Sequence, residues 1–154
     1  MSESGKIINL RLRGKEHPMR IMAIDYGDAR IGLAVSDETA TLCGEAWTLN
    51  EWNMERAADK ITAEAAARNV ERLILGYPKN MDGTLGARAE KSESFKKALE
   101  ARSSVPVTLW DERRTTVAAH EILHANGKKM KKHRECVDAV AASLILEGFL
   151  GTLK

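Results

Sequence analysis

The chain is poor in the features that mark disulfide-built, zinc-built and membrane-embedded proteins. It has two cysteines, Cys43 and Cys136, far apart and without CxxC or CxxH spacing. That excludes a disulfide framework, gives no support to a zinc site, and leaves two reduced thiols buried as small hydrophobes. No stretch approaches the roughly 18 consecutive apolar residues of a membrane span. The first residues, Met1 to Lys6, lack the apolar segment of a secretory signal. The expectation is a cytoplasmic protein with no membrane association. Internal repeats and low-complexity tracts are also missing.

What is present fits one soluble globular domain. A length of 154 residues can bury one sizeable core but not two, and 44% apolar with 30% charged residues is a globular balance. The net charge of +2 is unevenly spread. Residues 1–20 hold five Lys/Arg against two Glu, leaving 19 positive and 20 negative charges in the remainder. Residues 1–18, with Gly5, Gly14, Pro18 and scattered charge, read as a basic, flexible arm, and 19–154 as the folded domain. The densest basic run is 128–134, which contains Lys131 and Lys132 and reads either as a solvated loop or as a contact for a polyanion.

Along the domain, Arg20–Asp25 has the length and apolarity of a buried strand. It is followed by a turn through Gly27 and a second strand, Arg30–Ser36. A third strand is expected over Leu42–Leu49. Asn50 can cap a helix over Glu51–Arg68, whose Trp52, Ala57, Ile61 and Ala65 recur near helical spacing. Next come a buried strand, Glu71–Gly76, a loop to Gly83, a helix from a Thr84 cap to about Ala101, and a strand over Val105–Trp110. A short helix capped by Thr115 or Thr116 should stop at Asn126–Gly127. The basic run then leads, as a loop, into a final helix from about Arg134 to Phe149. The fold class is α/β: a mixed five-stranded sheet, three antiparallel strands and then two parallel ones, flanked by helices.

Three acidic positions stand where a sheet-based site needs them. Asp25 closes the first strand and Asp111–Glu112 the last, so parallel neighbours bring them to one sheet edge. Asp138 falls on the border of the final helix's apolar face, where a carboxylate needs a cation to meet it. Gathered carboxylates repel, and divalent metal relieves that cost. Oxygen-only ligands suit Mg²⁺ or Mn²⁺, and a pair of ions roughly 3.5 to 4 Å apart could serve a phosphodiester displacement. Each acid also has a plainer reading: a turn former at Asp25, an ion pair of Glu112 with Arg113 or Arg114, and a pairing of Asp138 with Lys131 or Lys132.

Four co-linear motifs decide between these readings: Asp25-Tyr-Gly through Gly32 and Asp37, Leu75-Gly-Tyr-Pro78 with Asn80 to Gly83, Asp111-Glu-Arg113 with Thr115 and Thr116, and Val137-Asp138 with Ala141 and Ala142. Over about residues 19–150 the chain resembles the YqgF-type family of pre-16S rRNA nucleases, Holliday-junction-resolvase-like proteins of the RNase H superfamily. The resemblance implies an RNase H-like fold, with Asp25, Glu112 and Asp138 as catalytic, metal-binding acids. It implies Arg30 and Arg113 as phosphate-holding candidates, and Asn80 and Thr115 as site-lining residues. Ala29 departs from the Lys or Arg of many relatives, and Lys79 from a common Leu. In this context the basic run, through Lys131 and Lys132, would neutralise substrate backbone. Few aromatics flank it, so base stacking is expected to contribute little.

The function implied is a metal-dependent hydrolase of phosphodiester bonds, processing the 5′ end of pre-16S rRNA. Its partners would be nucleic acid, RNA ahead of DNA, and ribosomal precursor particles, with the protein a monomer or homodimer. The alternatives are a Holliday-junction resolvase acting on DNA, which needs a symmetric dimer, and a non-catalytic nucleic-acid-binding factor. An actin-like ATPase ranks last, because the chain lacks room for a second domain.

Overall fold

Four consecutive apolar residues, Ile21 to Ile24, have almost no solvent exposure, which requires a strand covered on both faces. That strand is the centre of the sheet in a computed structural model that describes residues 19–27, 29–78, 82–111 and 130–153, with side chains in the last segment described from Asp138 onward. The strands are β1 (Arg20–Tyr26), β2 (Arg30–Ser36), β3 (Cys43–Asn50), β4 (Val70–Tyr77) and β5 (Val107–Asp111). Their order is β3-β2-β1-β4-β5. β1, β2 and β3 form the expected antiparallel meander, β4 runs parallel to β1, and β5 runs parallel to β4.

Period-two alternation sends Met22 and Ile24 of β1 to one face with Leu33, Leu73 and Leu75, where they meet Ala57, Ala58 and Ile61 of α1 (Met54–Ala67) and Phe95 and Leu99 of α2 (Ala87–Glu100). Phe95 stacks on Tyr26 with ring centroids 4.2 Å apart. Ile21, Ala23, Ala34 and Ile74 face the other way, against Ala142, Ile145, Leu146, Phe149 and Leu150 of α3 (Met130–Gly151). No helix among the described residues is long and apolar enough to cross a membrane.

Three boundaries differ from expectation, each for a local reason. Asn50 is still in β3, paired with Arg30, and the cap of α1 is Asn53, whose side chain accepts from the Arg56 N–H at 2.9 Å. Trp52 therefore precedes the helix and is 82% exposed instead of facing the core. Thr84 does not cap α2. Its N–H and hydroxyl donate to Asp82 Oδ1 at 2.9 and 2.6 Å, and α2 starts after Gly86. Finally, α3 begins at Met130, so Lys131 and Lys132 belong to its first turn and not to a loop. Lys, Met and Arg are good helix formers, and like-charge repulsion costs a helix only about a few tenths of a kcal/mol per pair. The helix expected between Thr115 and Gly127 lies outside the described residues. Cys43 is a half-buried thiol against the α3-side core, pushed up in pKa first by burial and then by Glu147.

Candidate active site

Strand direction gathers the candidate site at one edge of the sheet. β1 ends there with Asp25 and Tyr26, β2 begins there with Arg30, β3 ends at Asn50, and β4 and β5 end at the paired Tyr77 and Asp111. Asp25 shares its face with Ile21 and Ala23, the side covered by α3, and its cross-strand partner is Gly32. The turn between β1 and β2 needs Gly27, because a Cβ there would overlap the Arg30 carbonyl oxygen. The hairpin itself thus demands the glycine.

Gly32 is where α3 touches the sheet. A Cβ at this position would sit 2.5 Å from the carbonyl carbon and 3.3 Å from the Cα of Asp138. Glycine thus lets the helix backbone rest directly on β2, beside Asp25. Asp138 stands in line with the buried Ala141, Ala142 and Ile145, so it lies within the sheet-facing stripe of α3 and not on its border. Its side chain is 18% exposed, and its Oδ2 accepts from Arg30 Nε at 2.9 Å. The cation that this carboxylate needs comes from β2. Burial pushes the Asp138 carboxyl above its ordinary range, Arg30 pulls it back, and the charge of Asp25 pushes it up again, with a net rise.

Among the described residues no trio of His, Cys, Asp or Glu side chains forms a cation site. The described part of the predicted acid set is the pair Asp25 and Asp138. Glu112 lies outside the described residues, as do Arg113, Thr115 and Asn80. Lys131 and Lys132 are placed in the helix, about 10 Å of rise or less from Asp138, by backbone only. Arg30, expected as a phosphate holder, has its Nε committed to Asp138.

Two features of this edge were missed in the sequence. Gly32 is one, and its signal was a glycine inside an apolar strand, which marks a close backbone approach. Glu51 is the other. Its carboxylate is 8% exposed and accepts from Lys60 Nζ at 2.8 Å, the Asn53 N–H at 3.1 Å and Arg56 Nε at 3.3 Å. The Lys60 and Asn53 bonds, opposed by burial and helped by Arg56, push its pKa down to about 2. Its own N–H donates to the Ala29 carbonyl at 3.0 Å, tying the start of α1 to the start of β2.

The chain is similar to several known proteins. The protein named "Putative pre-16S rRNA nuclease" of Bacillus subtilis (strain 168) is 39% identical over 137 residues, covering 88% of this chain and 99% of its own. A protein of the same name from Halothermothrix orenii is 42% identical over 132 residues, covering 86% and 94%. Among solved structures, T. thermophilus RuvC in complex with a Holliday junction substrate superposes with a TM-score of 0.58 at 17% identity, covering 87% of this chain and 97% of that one. Fowlpox virus resolvase with Holliday junction DNA gives 0.56 at 13% identity, covering 88% and 99%. The sheet order and these likenesses make the fold the RNase H-like one expected. The family described as "RuvX: Holliday junction resolvase" matches residues 19–152, and the chain belongs to it.

Proposed function

We propose that this protein is a divalent-metal-dependent nuclease that hydrolyses phosphodiester bonds, with RNA as substrate and the 5′ end of pre-16S rRNA as its target. The observation that carries the reading is the placement of Asp25 and Asp138 about Gly32 at the carboxyl edge of the sheet, one as its cross-strand partner and the other as the α3 residue whose backbone rests on it. Such a pair, made of hard oxygen donors and partly shielded from water, fits Mg²⁺ or Mn²⁺. Glu112 follows directly on Asp111, the last residue of β5, within the Asp111-Glu-Arg113 motif that resembles the family's. That is the argument for Glu112 as the third ligand. Metal bound by Asp25, Glu112 and Asp138, two ions in the full site, would supply Lewis acidity to the attacking water and the leaving oxygen.

The chain's own residues do the remaining work. Arg30 holds Asp138 in one orientation through the 2.9 Å bond. Arg30, Arg113, Asn80 and Thr115 would position the scissile phosphate, and Lys131 and Lys132, on a helix with no acid in its first turn, would offset backbone charge that the carboxylates repel. In the reaction a water oxygen bonds to phosphorus, the bond to the leaving ribose oxygen breaks, and that oxygen takes up a proton. The names of the curated relatives support the rRNA assignment, and the family description supports a second reading, resolution of four-way DNA junctions.

The test compares wild type with Asp138→Asn on precursor-rRNA fragments, single strands and four-way junctions, in Mn²⁺ and in EDTA. The expected result is RNA cleavage that needs metal and falls by about a hundredfold or more in the variant. Equal digestion by both proteins would remove the catalytic assignment. Cleavage of junctions alone would favour the second reading.

A further inference from the structure

Trp52 is more exposed than Leu42 and Leu85, the other exposed large apolar side chains among the described residues, and its position is not arbitrary. It follows β3 by two residues, and Asn50 at the end of β3 pairs with Arg30, the residue that holds Asp138. The indole therefore stands at the same end of the sheet as the two acids, with β3 two strand spacings, about 10 Å, from β1.

The backbone around it is fixed from both sides. Glu51 before it is buried and bound by Lys60, Arg56 and the Asn53 N–H, and Asn53 after it caps α1. Arg56 and Lys60, which hold Glu51, have side chains 67% and 50% exposed, and Glu55 on the same helix is 66% exposed. A single exposed apolar residue is ordinary on a protein surface. An indole on backbone anchored from both sides, at the end of the sheet that carries the two acids, is a different matter, because every nucleobase has a π-face that it can cover.

We infer that Trp52 is a stacking platform for an unpaired base of the substrate strand, a nucleotide or two away from the scissile phosphate on the β3 side. This rests on the nuclease reading for the choice of ligand. A base can reach an indole face only when it is not stacked in a duplex, so the substrate is single-stranded over this stretch. The expectation that stacking contributes little concerned the basic run, whereas Trp52 lies just past the end of β3.

The test measures binding of a labelled oligoadenylate of roughly a dozen nucleotides, and of the matching blunt duplex, to wild type, Trp52→Ala and Trp52→Phe in EDTA, where cleavage is suppressed. Trp52→Ala should weaken single-strand binding by about five- to a hundredfold and leave duplex binding unchanged, while Trp52→Phe keeps most of the affinity. Oligoadenylate should quench the intrinsic fluorescence of wild type, and Trp52→Phe should lose most of that quenching although it still binds. The inference is overturned if wild type does not bind the single strand, if Trp52→Ala binds it as wild type does, or if the variant loses single strand and duplex alike. The nuclease reading fails separately, through undiminished cleavage by Asp138→Asn. Thermal melts of both variants check folding.

Discussion

Replacing Gly32 with alanine should damage stability and catalysis by one and the same displacement. The new methyl would lie 2.5 Å from the Asp138 carbonyl carbon, whereas carbon atoms rest about 3.5 Å apart or more, so α3 must lift by roughly 1 Å. The obstacle is backbone, with no side chain free to rotate away. Lifting α3 loosens Ala142, Ile145, Leu146 and Phe149 from the sheet, and overpacking of this kind costs about 1–3 kcal/mol. For a chain of this size that corresponds to a fall in Tm of roughly 3–10 °C. The same lift separates Asp138 from Asp25, and a misplacement of about 1 Å at a reacting centre costs on the order of a hundredfold in rate. Thermal or urea unfolding gives the first number, and single-turnover cleavage well below the lowered Tm gives the second. A Gly32→Ala protein with wild-type Tm and wild-type rate would refute the account of how α3 seats on β2.

Arg30→Met removes the cation that offsets burial and the Asp25 charge at Asp138, so the Asp138 carboxyl should titrate still higher. If that carboxylate must be ionised to work, the acid limb of the pH–rate profile moves to higher pH, and an unmoved limb would refute the pairing. Glu51 behaves in the opposite sense. Its pKa is lowered from 4.5 to about 2, so the stability it gives is present above 4.5 and is lost as pH falls toward 2. In Glu51→Gln, Tm should be lower at neutral pH and its acid dependence between those values shallower. Parallel Tm profiles of variant and wild type would exclude the carboxylate as the anchor of this loop.

The strands were legible because each carries its own evidence. β2 was readable to the residue, and the apolar Ile21–Ile24 run fixed β1 as central. Asp25 could be placed at the sheet edge from strand order alone, and the structure puts it there. The start of α1 was not legible. Asn50 and Asn53 are equally good caps, and the choice is made by Glu51, which gains Lys60 and Arg56 only when the helix begins three residues later. Reading Trp52 as a core residue followed from that choice. Asp138 falls on the margin of its helix when the half-buried Val140 and Leu144 count as core with Ala141 and Ile145, and inside the stripe when only the buried residues do. Gly32 decides where the helix lands, a tertiary fact with no trace in the periodicity of β2.

Arg30 and Asp138 are separated by 108 positions along the chain yet joined by one hydrogen bond. A polypeptide still emerging from the ribosome therefore has one half of this candidate site without the other until α3 has been made. Assembly from such distant parts ties the candidate site to completion of the chain, since Arg30 comes from the second strand and Asp138 from the last helix. A protein that attacks nucleic acid would in this way stay harmless beside the messenger and ribosome that are producing it.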